Sequence, residues 1–491
     1  MNKQYKGSEK KMSTINGTIM QYFEWYMNIE QNLWNKARRD AENLSELGIT
    51  ALWLPPAYKG IGGKDDVGYG VYDLYDLGEF DQKGTIKTKY GSKDEYIECI
   101  KALKQVGIES YADIVLNHKM GADMLQTIPA TKVDWRDHYR EVSGQEIVRV
   151  ATKFTFPGRN HKYSDFEWNW THFHGIDYDD KSGEHAIFKF KDKKWDDAVD
   201  GEFGNFDYLM GADIDFTNQE VIEECYKWAK WYIEETDIDG FRLDAVKHIN
   251  AGFYKDFIKR IKKEIKPDLY TVGEYWSADI NKLHKYIEET EGQISLFDVA
   301  LHYNLYWAST NDNYDLSKIL DNTLVKDNPS KAVTFVDNHD TQPGQSLQSF
   351  INNWFKLPAY SLILLRSEGY PCVFYGDYYG IPHDNVEPTE KLDILLKLRK
   401  NRAYGNQTNY LDHPQFIGWT REGDEEHPDS GLAVVISSAG DGEKRMYIGR
   451  KFAGKEFIDS LSNCEDVVTI DEEGFGVFKV KGKSVSVWTL K

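Results

Sequence analysis

Cysteine is scarce in this chain, and long apolar runs are missing altogether. The 491 residues include only four cysteines, Cys99, Cys225, Cys372 and Cys464. They are widely scattered with no C-x-x-C pair, so the sequence offers no disulfide framework. Cys99 and Cys372 lie in apolar helix and strand patterns, where buried free thiols are the usual outcome. A reducing compartment fits this usage, and so does a secreted enzyme without disulfides. No stretch approaches the roughly 18 consecutive apolar residues of a membrane span. The opening residues, Met1 to Lys11, are charged and lack the apolar segment of a signal peptide. The expectation is a cytoplasmic protein; Met12 as the true start, or a processed and re-tagged form, both stay open. Positive charge is in deficit, with 60 Lys plus Arg against 80 Asp plus Glu and a formal net charge of −20. Phosphates would be repelled, which argues against a nucleic-acid partner or an anionic membrane surface. A neutral polymer such as a polysaccharide is not disfavoured.

Aromatic residues are plentiful at 14%, with 14 Trp and 31 Tyr. An ordinary core accounts for most of them, and some suit stacking on sugar faces. Short apolar runs recur at Gly17–Phe23, Ile49–Leu54, Ser110–Leu116, Gly240–Leu243, Leu269–Val272, Ile294–Val299, Ala332–Val336 and Pro371–Tyr375. Amphipathic segments lie between several of them. Phe253, Phe257, Ile261 and Ile265 form an i, i+4 ladder, and Lys93–Val106 stops at Gly107. Eight strands alternating with helices predict a closed (β/α)8 TIM barrel, an α/β fold. An open doubly wound sheet would show a glycine-rich loop after its first strand, and Glu24-Trp25-Tyr26 stands there instead.

The alternation breaks after Asn117-His118, and the next helical pattern begins only near Asn218. A strand-to-helix loop normally has about 2–6 residues, so this stretch reads as an inserted β-rich domain over the barrel mouth. Beyond about Thr408 the helical pattern ends. Leu432–Ile436, Lys444–Ile448, Gly476–Val480 and Ser484–Trp488 read as strands of a C-terminal antiparallel β-sandwich. The expected division is a barrel from residues 1–117 and 219–408, an insert at 118–218, and a C-terminal domain at 409–491.

Three of the apolar runs end in acids: Gly240-Phe241-Arg242-Leu243-Asp244, Tyr270-Thr271-Val272-Gly273-Glu274, and Val333-Thr334-Phe335-Val336-Asp337-Asn338-His339-Asp340. A barrel enzyme aims side chains from its strand ends into one mouth. Glycosidic bond cleavage needs one carboxyl to protonate the leaving oxygen and a second below the ring. Arg242 and Asp244 share a strand face, so the guanidinium favours an ionised Asp244 as nucleophile. Glu274 sits among Val272, Gly273, Tyr275 and Trp276, an apolar setting that raises its pKa towards that of a general acid. His339, beside Asp340, is placed to hydrogen-bond sugar hydroxyls.

Four segments carry a family resemblance: Asp113 to His118, Gly240 to His248, Gly273 to Trp276, and Phe335 to Asp340. In order and in residues they resemble the signature segments of the α-amylase family, glycoside hydrolase family 13. Gln21 to Tyr26, Val67 to Phe80 and Phe374 to Asp377 extend the likeness to bacterial liquefying α-amylases and their cytoplasmic relatives. The resemblance implies retaining hydrolysis of internal α-1,4 bonds in starch, glycogen or maltodextrins; a monomer is expected, although the sequence does not fix the oligomeric state. It implies Asp244 as nucleophile, Glu274 as acid/base and Asp340 as transition-state stabiliser. His118, Arg242 and His339 would hold the sugar at the cleavage point. Tyr69 would stack beneath it, Lys247 would contact the neighbouring glucose, and Trp276 would add to the substrate surface. A family transglycosylase or an exo-acting α-glucosidase is the alternative from the same intermediate.

The acidic insert suggests a hard cation, because Ca²⁺ takes 6–8 oxygen ligands. By resemblance, Asn117, Asp207, Asp213 and the His248 carbonyl match a structural calcium site, and Asp196 matches a further ligand of a metal cluster. One position departs. His172-Phe173-His174-Gly175 stands where liquefying members carry an Asp in place of His174. An imidazole cannot replace a carboxylate for Ca²⁺ or Na⁺, so one calcium ion is expected rather than a cluster.

Overall fold

The computed structural model describes residues 16–491, so the charged opening segment and the Met12 start lie outside the described residues. Eight parallel strands close into a barrel: β1 (Ile19–Gln21), β2 (Ala51–Leu54), β3 (Glu109–Ile114), β4 (Gly240–Leu243), β5 (Tyr270–Gly273), β6 (Ser295–Phe297), β7 (Ala332–Phe335) and β8 (Tyr370–Phe374). Each pairs with the next in chain order, and β8 returns to β1 with Cys372 opposite Ile19. These are the eight expected runs. Helices wrap the outside and barrel side chains pack inside, so most strand residues are buried on both faces, which explains near-continuous apolar runs. Gly240 opens β4 because a Cβ there would meet the Tyr111 ring at 2.6 Å and the Tyr270 carbonyl oxygen at 2.8 Å.

The helices begin and end where the sequence punctuates them. Helix α1 (Lys93–Gln105) starts from a capping box in which Ser92 Oγ accepts from Glu95 N–H and Glu95 accepts from Ser92 N–H. Helix α2 (Gln219–Thr236) is capped by Asn218 and helix α3 (Ala251–Glu264) by Asn250. The α3 ladder buries Phe253, Phe257 and Ile261.

Between β3 and α2 the chain leaves the barrel through a two-residue antiparallel ladder. Its partners are His118 with Asp213 and Lys119 with Ala212. Within that stem a five-stranded sheet is built around the long strand Met124–Asp134, with Glu146–Lys153 and Glu184–Phe190 beside it. After the barrel, a six-stranded antiparallel sheet packs against a two-stranded antiparallel sheet of Gly442–Tyr447 and Phe475–Val480. Val435, Met446, Phe457, Phe478 and Trp488 fill the space between. Four strands of this region were not read from the sequence: Gln407–Tyr410, Phe416–Arg421, Glu456–Asp459 and Val467–Thr469. The first of them straddles the 408/409 limit. All four cysteines are buried and free, and no helix among the described residues is long and apolar enough to cross a membrane.

Replacing Ser92 with Ala should cost about 1 kcal/mol, the usual worth of such a cap, read as a lower denaturation midpoint. An unchanged midpoint would mean that Glu95's bond to the residue 92 N–H is a sufficient cap.

Candidate active site

The three expected acids follow the C-terminal ends of β4, β5 and β7, so all lie at the same end of the barrel. Asp244 is the first residue after β4, Glu274 the first after β5, and Asp340 lies in the loop after β7. Asp244 and Glu274 are joined by Arg242, whose side chain points into the barrel and is fully buried. Its Nη1 lies 2.5 Å from Asp244 Oδ1 and 3.0 Å from Asp113 Oδ1, and its Nη2 lies 3.5 Å from Glu274 Oε2. The guanidinium also covers the Trp53 ring at 4.8 Å, a cation–π contact in a desolvated setting.

Asp113 is the residue that the sequence reading passed over. Fully buried in β3, it accepts from Arg242, from Trp53 Nε1 at 3.0 Å and from the Tyr69 hydroxyl at 2.8 Å. It therefore fixes both the guanidinium and the aromatic floor. Tyr69 stacks on Trp25 and on His339, with ring centroids 5.8 and 5.2 Å apart. An acid inside the apolar run of residues 111–116 was the available signal, since a buried carboxylate requires donors.

Glu274 is buried, and its Oε2 accepts from the Ala245 N–H at 2.8 Å. Burial pushes its pKa up to about 8; Arg242 opposes that shift, while the charges of Asp244 and Asp340 add to it. Asp340 is pushed up to about 7 by burial and by Asp244 and Asp113, against the pull of Arg242. The neutral carboxylic acid that a proton donor requires is thus available near neutral pH. His339 Nδ1 lies 3.0 Å from the Gln21 side-chain nitrogen. With that nitrogen as donor, the ring proton sits on Nε2, which is 3.5 Å from Asp340. Burial and then Arg242 hold His339 well below the ordinary histidine pKa.

The other expected residues fall into two groups. Lys247 reaches Glu202 at 3.0 Å and covers the Phe206 ring, on the insert wall beside the acids. Trp276 is half-buried against His302 and Phe335, with Nε1 donating to the Tyr303 hydroxyl at 3.3 Å. Both nitrogens of His118 have partners within the protein, the Tyr69 carbonyl at 2.8 Å and the Asn117 amide at 3.3 Å. Its pKa is lowered by burial.

The expected metal ligands cluster at the insert stem. Asn117, Asp196, Asp207 and Asp213 are buried, and Asp196 N–H donates to Asp207 Oδ2 at 3.0 Å. Asn117 Oδ1 and Asp196 Oδ2 are buried acceptors without a hydrogen-bond partner. Two orphaned oxygens beside further carboxylates make a donor set suited to a hard cation. His248 is placed by its Nδ1 contact with the Phe206 carbonyl at 2.7 Å. His174 occupies the other side of the cluster. Its Nδ1 lies 2.9 Å from Asp207 and 3.1 Å from Asp213, and its Nε2 lies 3.1 Å from Asp215. Burial opposes a charged ring, but hydrogen bonding to the three acids outweighs it and raises the pKa well above the ordinary value.

Residues 41–410 match the family described as alpha amylase, catalytic domain, and residues 432–489 match alpha-amylase C-terminal. The chain is 53% identical to an alpha-amylase of Geobacillus stearothermophilus over 98% of its own length and 88% of that protein. It is 44% identical to the cytoplasmic alpha-amylase of Escherichia coli, covering 97% of this chain and 99% of that one. Among solved structures, an Anoxybacillus alpha-amylase superposes with a TM-score of 0.64 at 19% identity, over 97% of each chain; at that identity the likeness concerns the fold.

Asp113→Ala would leave Arg242 buried without its strand partner. Breaking a buried pair on one side costs about 3–5 kcal/mol, so the denaturation midpoint should fall steeply, and with it the affinity for any ligand resting on Tyr69. A midpoint within experimental error of wild type would show that Asp244 and Glu274 suffice to hold the guanidinium.

Proposed function

The chain belongs to the α-amylase family, enzymes that hydrolyse internal α-1,4-glucosidic bonds, and on that premise we propose that Asp244, Glu274 and Asp340 carry the reaction in a retaining double displacement. The observation that supports this reading is that Asp244 and Glu274 meet one buried guanidinium at the barrel mouth while Asp340 lies within its electrostatic reach. The protonated Glu274 gives its proton to the glycosidic oxygen as an Asp244 oxygen attacks the anomeric carbon. The bond to the leaving sugar breaks, and a glycosyl ester on Asp244 forms. Glu274, now a carboxylate, takes a proton from water, whose oxygen attacks the same carbon and frees Asp244. Asp340 and His339 hold hydroxyls of the sugar in its distorted form, on the floor made by Tyr69. Arg242 keeps Asp244 aimed, and Lys247 contacts the sugar beyond the cleaved bond. His118 contributes through its hold on the Tyr69 carbonyl, and Trp276 lines the far wall.

The substrates are starch, glycogen and maltodextrins. Endo-hydrolysis is preferred to glucosyl transfer or exo-trimming because relatives named alpha-amylase are 44–53% identical over nearly the full chain. A cytoplasmic site of action, on imported or stored glucan, is supported by the 44% identity to an enzyme named cytoplasmic alpha-amylase. The catalytic unit comprises residues up to 117 and 219–408, the insert 118–218 and the C-terminal unit 409–491, working as a monomer.

Asp244→Asn should abolish turnover and Glu274→Gln should cost several orders of magnitude, since each removes an obligatory step. Either variant digesting starch at the wild-type rate would refute the assignment. The first product observed by NMR should carry the α-anomeric configuration of the substrate, and a β-anomer would mean inversion. With Glu274 raised to about 8, kcat/KM should fall as pH rises through that region, because the proton donor is lost. The fall should be absent from a Glu274 variant that retains measurable activity.

Calcium is part of the same proposal. Asn117, Asp207, Asp213 and the His248 carbonyl would hold one ion, with Asp196 as a further ligand. When bound, the ion ties the insert to the barrel and takes no part in bond breaking. His174 already faces Asp207, Asp213 and Asp215, and an imidazole competing for these carboxylates supports one ion rather than a cluster. Binding to the folded state adds roughly 2.7 kcal/mol at a hundredfold excess over Kd. Chelation should therefore lower the melting temperature, calcium should restore it, and calorimetry should count one site. An unchanged melting temperature after chelation would remove calcium from this protein.

A further inference from the structure

The segment from Asp200 to Phe206 of the insert is fastened to both strand ends that carry the catalytic pair. Asp200 accepts from the Tyr275 hydroxyl at 2.5 Å and from Lys282 at 2.9 Å, and its N–H donates to the Lys247 carbonyl at 2.9 Å. Glu202 holds Lys247, and the Phe206 carbonyl holds His248. The loop that carries Lys247 is itself pressed on the acid. Ala245 N–H meets Glu274 Oε2 at 2.8 Å, and Val246 N–H meets the Glu274 carbonyl at 3.1 Å. A general acid protonates the leaving oxygen, so the departing half of a glucan chain lies on the Glu274 side, along this wall.

Lys247 covers the Phe206 ring at 4.8 Å, Phe206 in turn touches the Phe203 ring, and Tyr139 stands on the neighbouring strand. Phe203 follows Glu202 directly and has φ +53°, a left-handed conformation that is a genuine outlier for a bulky residue. Such strain costs of order 1–3 kcal/mol and collects at ligand-binding positions. Phe203 remains 37% exposed although it touches Phe206 and His138, with centroids 4.9 and 5.9 Å away. Tyr139 is 56% exposed, yet its hydroxyl is tethered by Asn205 at 3.1 Å and Asp197 at 3.4 Å. Gly204 lies between them, where a Cβ would come 3.5 Å from the Tyr139 ring. The His138 N–H also donates to the Phe203 carbonyl at 3.0 Å, so the two segments that carry the rings are bonded to each other.

We propose that Phe203 and Tyr139 form an aromatic shelf that binds the leaving-group half of an α-glucan chain, farther from the cleaved bond than Lys247. The proposal rests on the α-glucan reading above. The CH-rich face of a glucose unit covers an aromatic ring well, and Tyr and Phe supply that area at low entropic cost because few torsions are frozen. The shelf would make cleavage depend on chain length, since only substrates with several sugars past the broken bond reach it.

The test uses Phe203→Gly, which removes the ring at a φ that glycine adopts freely, alone and combined with Tyr139→Ala. Kinetics on maltotriose and maltoheptaose should separate the contribution. For maltoheptaose kcat/KM should fall about fivefold, mostly through KM, as expected when an aromatic contact is lost from ground and transition states alike. For maltotriose it should stay within about twofold of wild type, and Phe203→Tyr should restore the long-substrate value. Equal losses on both substrates, or none on either, would overturn the shelf and leave Phe203 a structural residue. Wild-type enzyme that cleaves neither substrate would instead refute the α-glucan reading itself, and the shelf with it.

Discussion

A single buried guanidinium organises this molecule. Arg242 projects from β4 into the barrel, where its positive charge has no water and must be met by carboxylates. Asp113 meets it from β3, Asp244 from the end of its own strand, and Glu274 from β5. With Asp340 nearby, four acids share the field of one cation. Burial, more than the excess of negative charge that adds to it, is what lifts Glu274 and Asp340 above the ordinary carboxyl range. One arginine thus gives the site a directed carboxylate contact and, through its insufficiency, a proton donor.

The same strand ends bind the insert. Asn117 and His118 continue from β3, and His118 pairs with Asp213 at the point where the insert returns. Asp200 reaches back to the residue after Glu274. The wall of the cleft and the acids at its floor are therefore parts of one hydrogen-bonded frame. A cation among Asn117, Asp207 and Asp213 would act on that frame at its stem, away from the bonds being broken. His174 brings an imidazole to a place crowded with acids, and its three carboxylate contacts show how this chain offsets part of their repulsion with a side chain.

How much of this was legible beforehand depended on length scale. The barrel strands were readable because burial on both faces leaves continuous apolar runs, and the acids because they interrupt those runs at the end. Asp113 lies one residue before the end of β3, inside an apolar run whose Tyr111, Ala112, Ile114 and Val115 read as core. Its role emerges only when Trp53 and Tyr69, far away in sequence, arrive beside it. The partners of His174 were hidden for the same reason: the substitution could be seen, its neighbours could not. In the C-terminal sheet the missed strands include Gln407–Tyr410 and Val467–Thr469, short edge segments whose partly exposed residues give little alternation.

A second buried charge network shows why such groups persist under a reactive site. Lys356, almost wholly buried, bonds Asp337 and lies 2.5 Å from Asp377, whose other oxygen accepts from the Tyr360 hydroxyl at 2.6 Å. Asp337 also accepts from Thr341 Oγ1 at 2.8 Å and from the Ile351 N–H at 3.3 Å. The loop from Asp337 to Thr341 is thereby closed on itself, with His339 and Asp340 held between its ends. Apolar residues of similar volume would often be as stable or more so, but they would not fix the direction of a loop. Directional bonds do, and a stabilising carboxylate misplaced by 1 Å loses much of its value. The barrel supplies strand ends at fixed positions, and the buried ion pairs beneath them convert that position into aim.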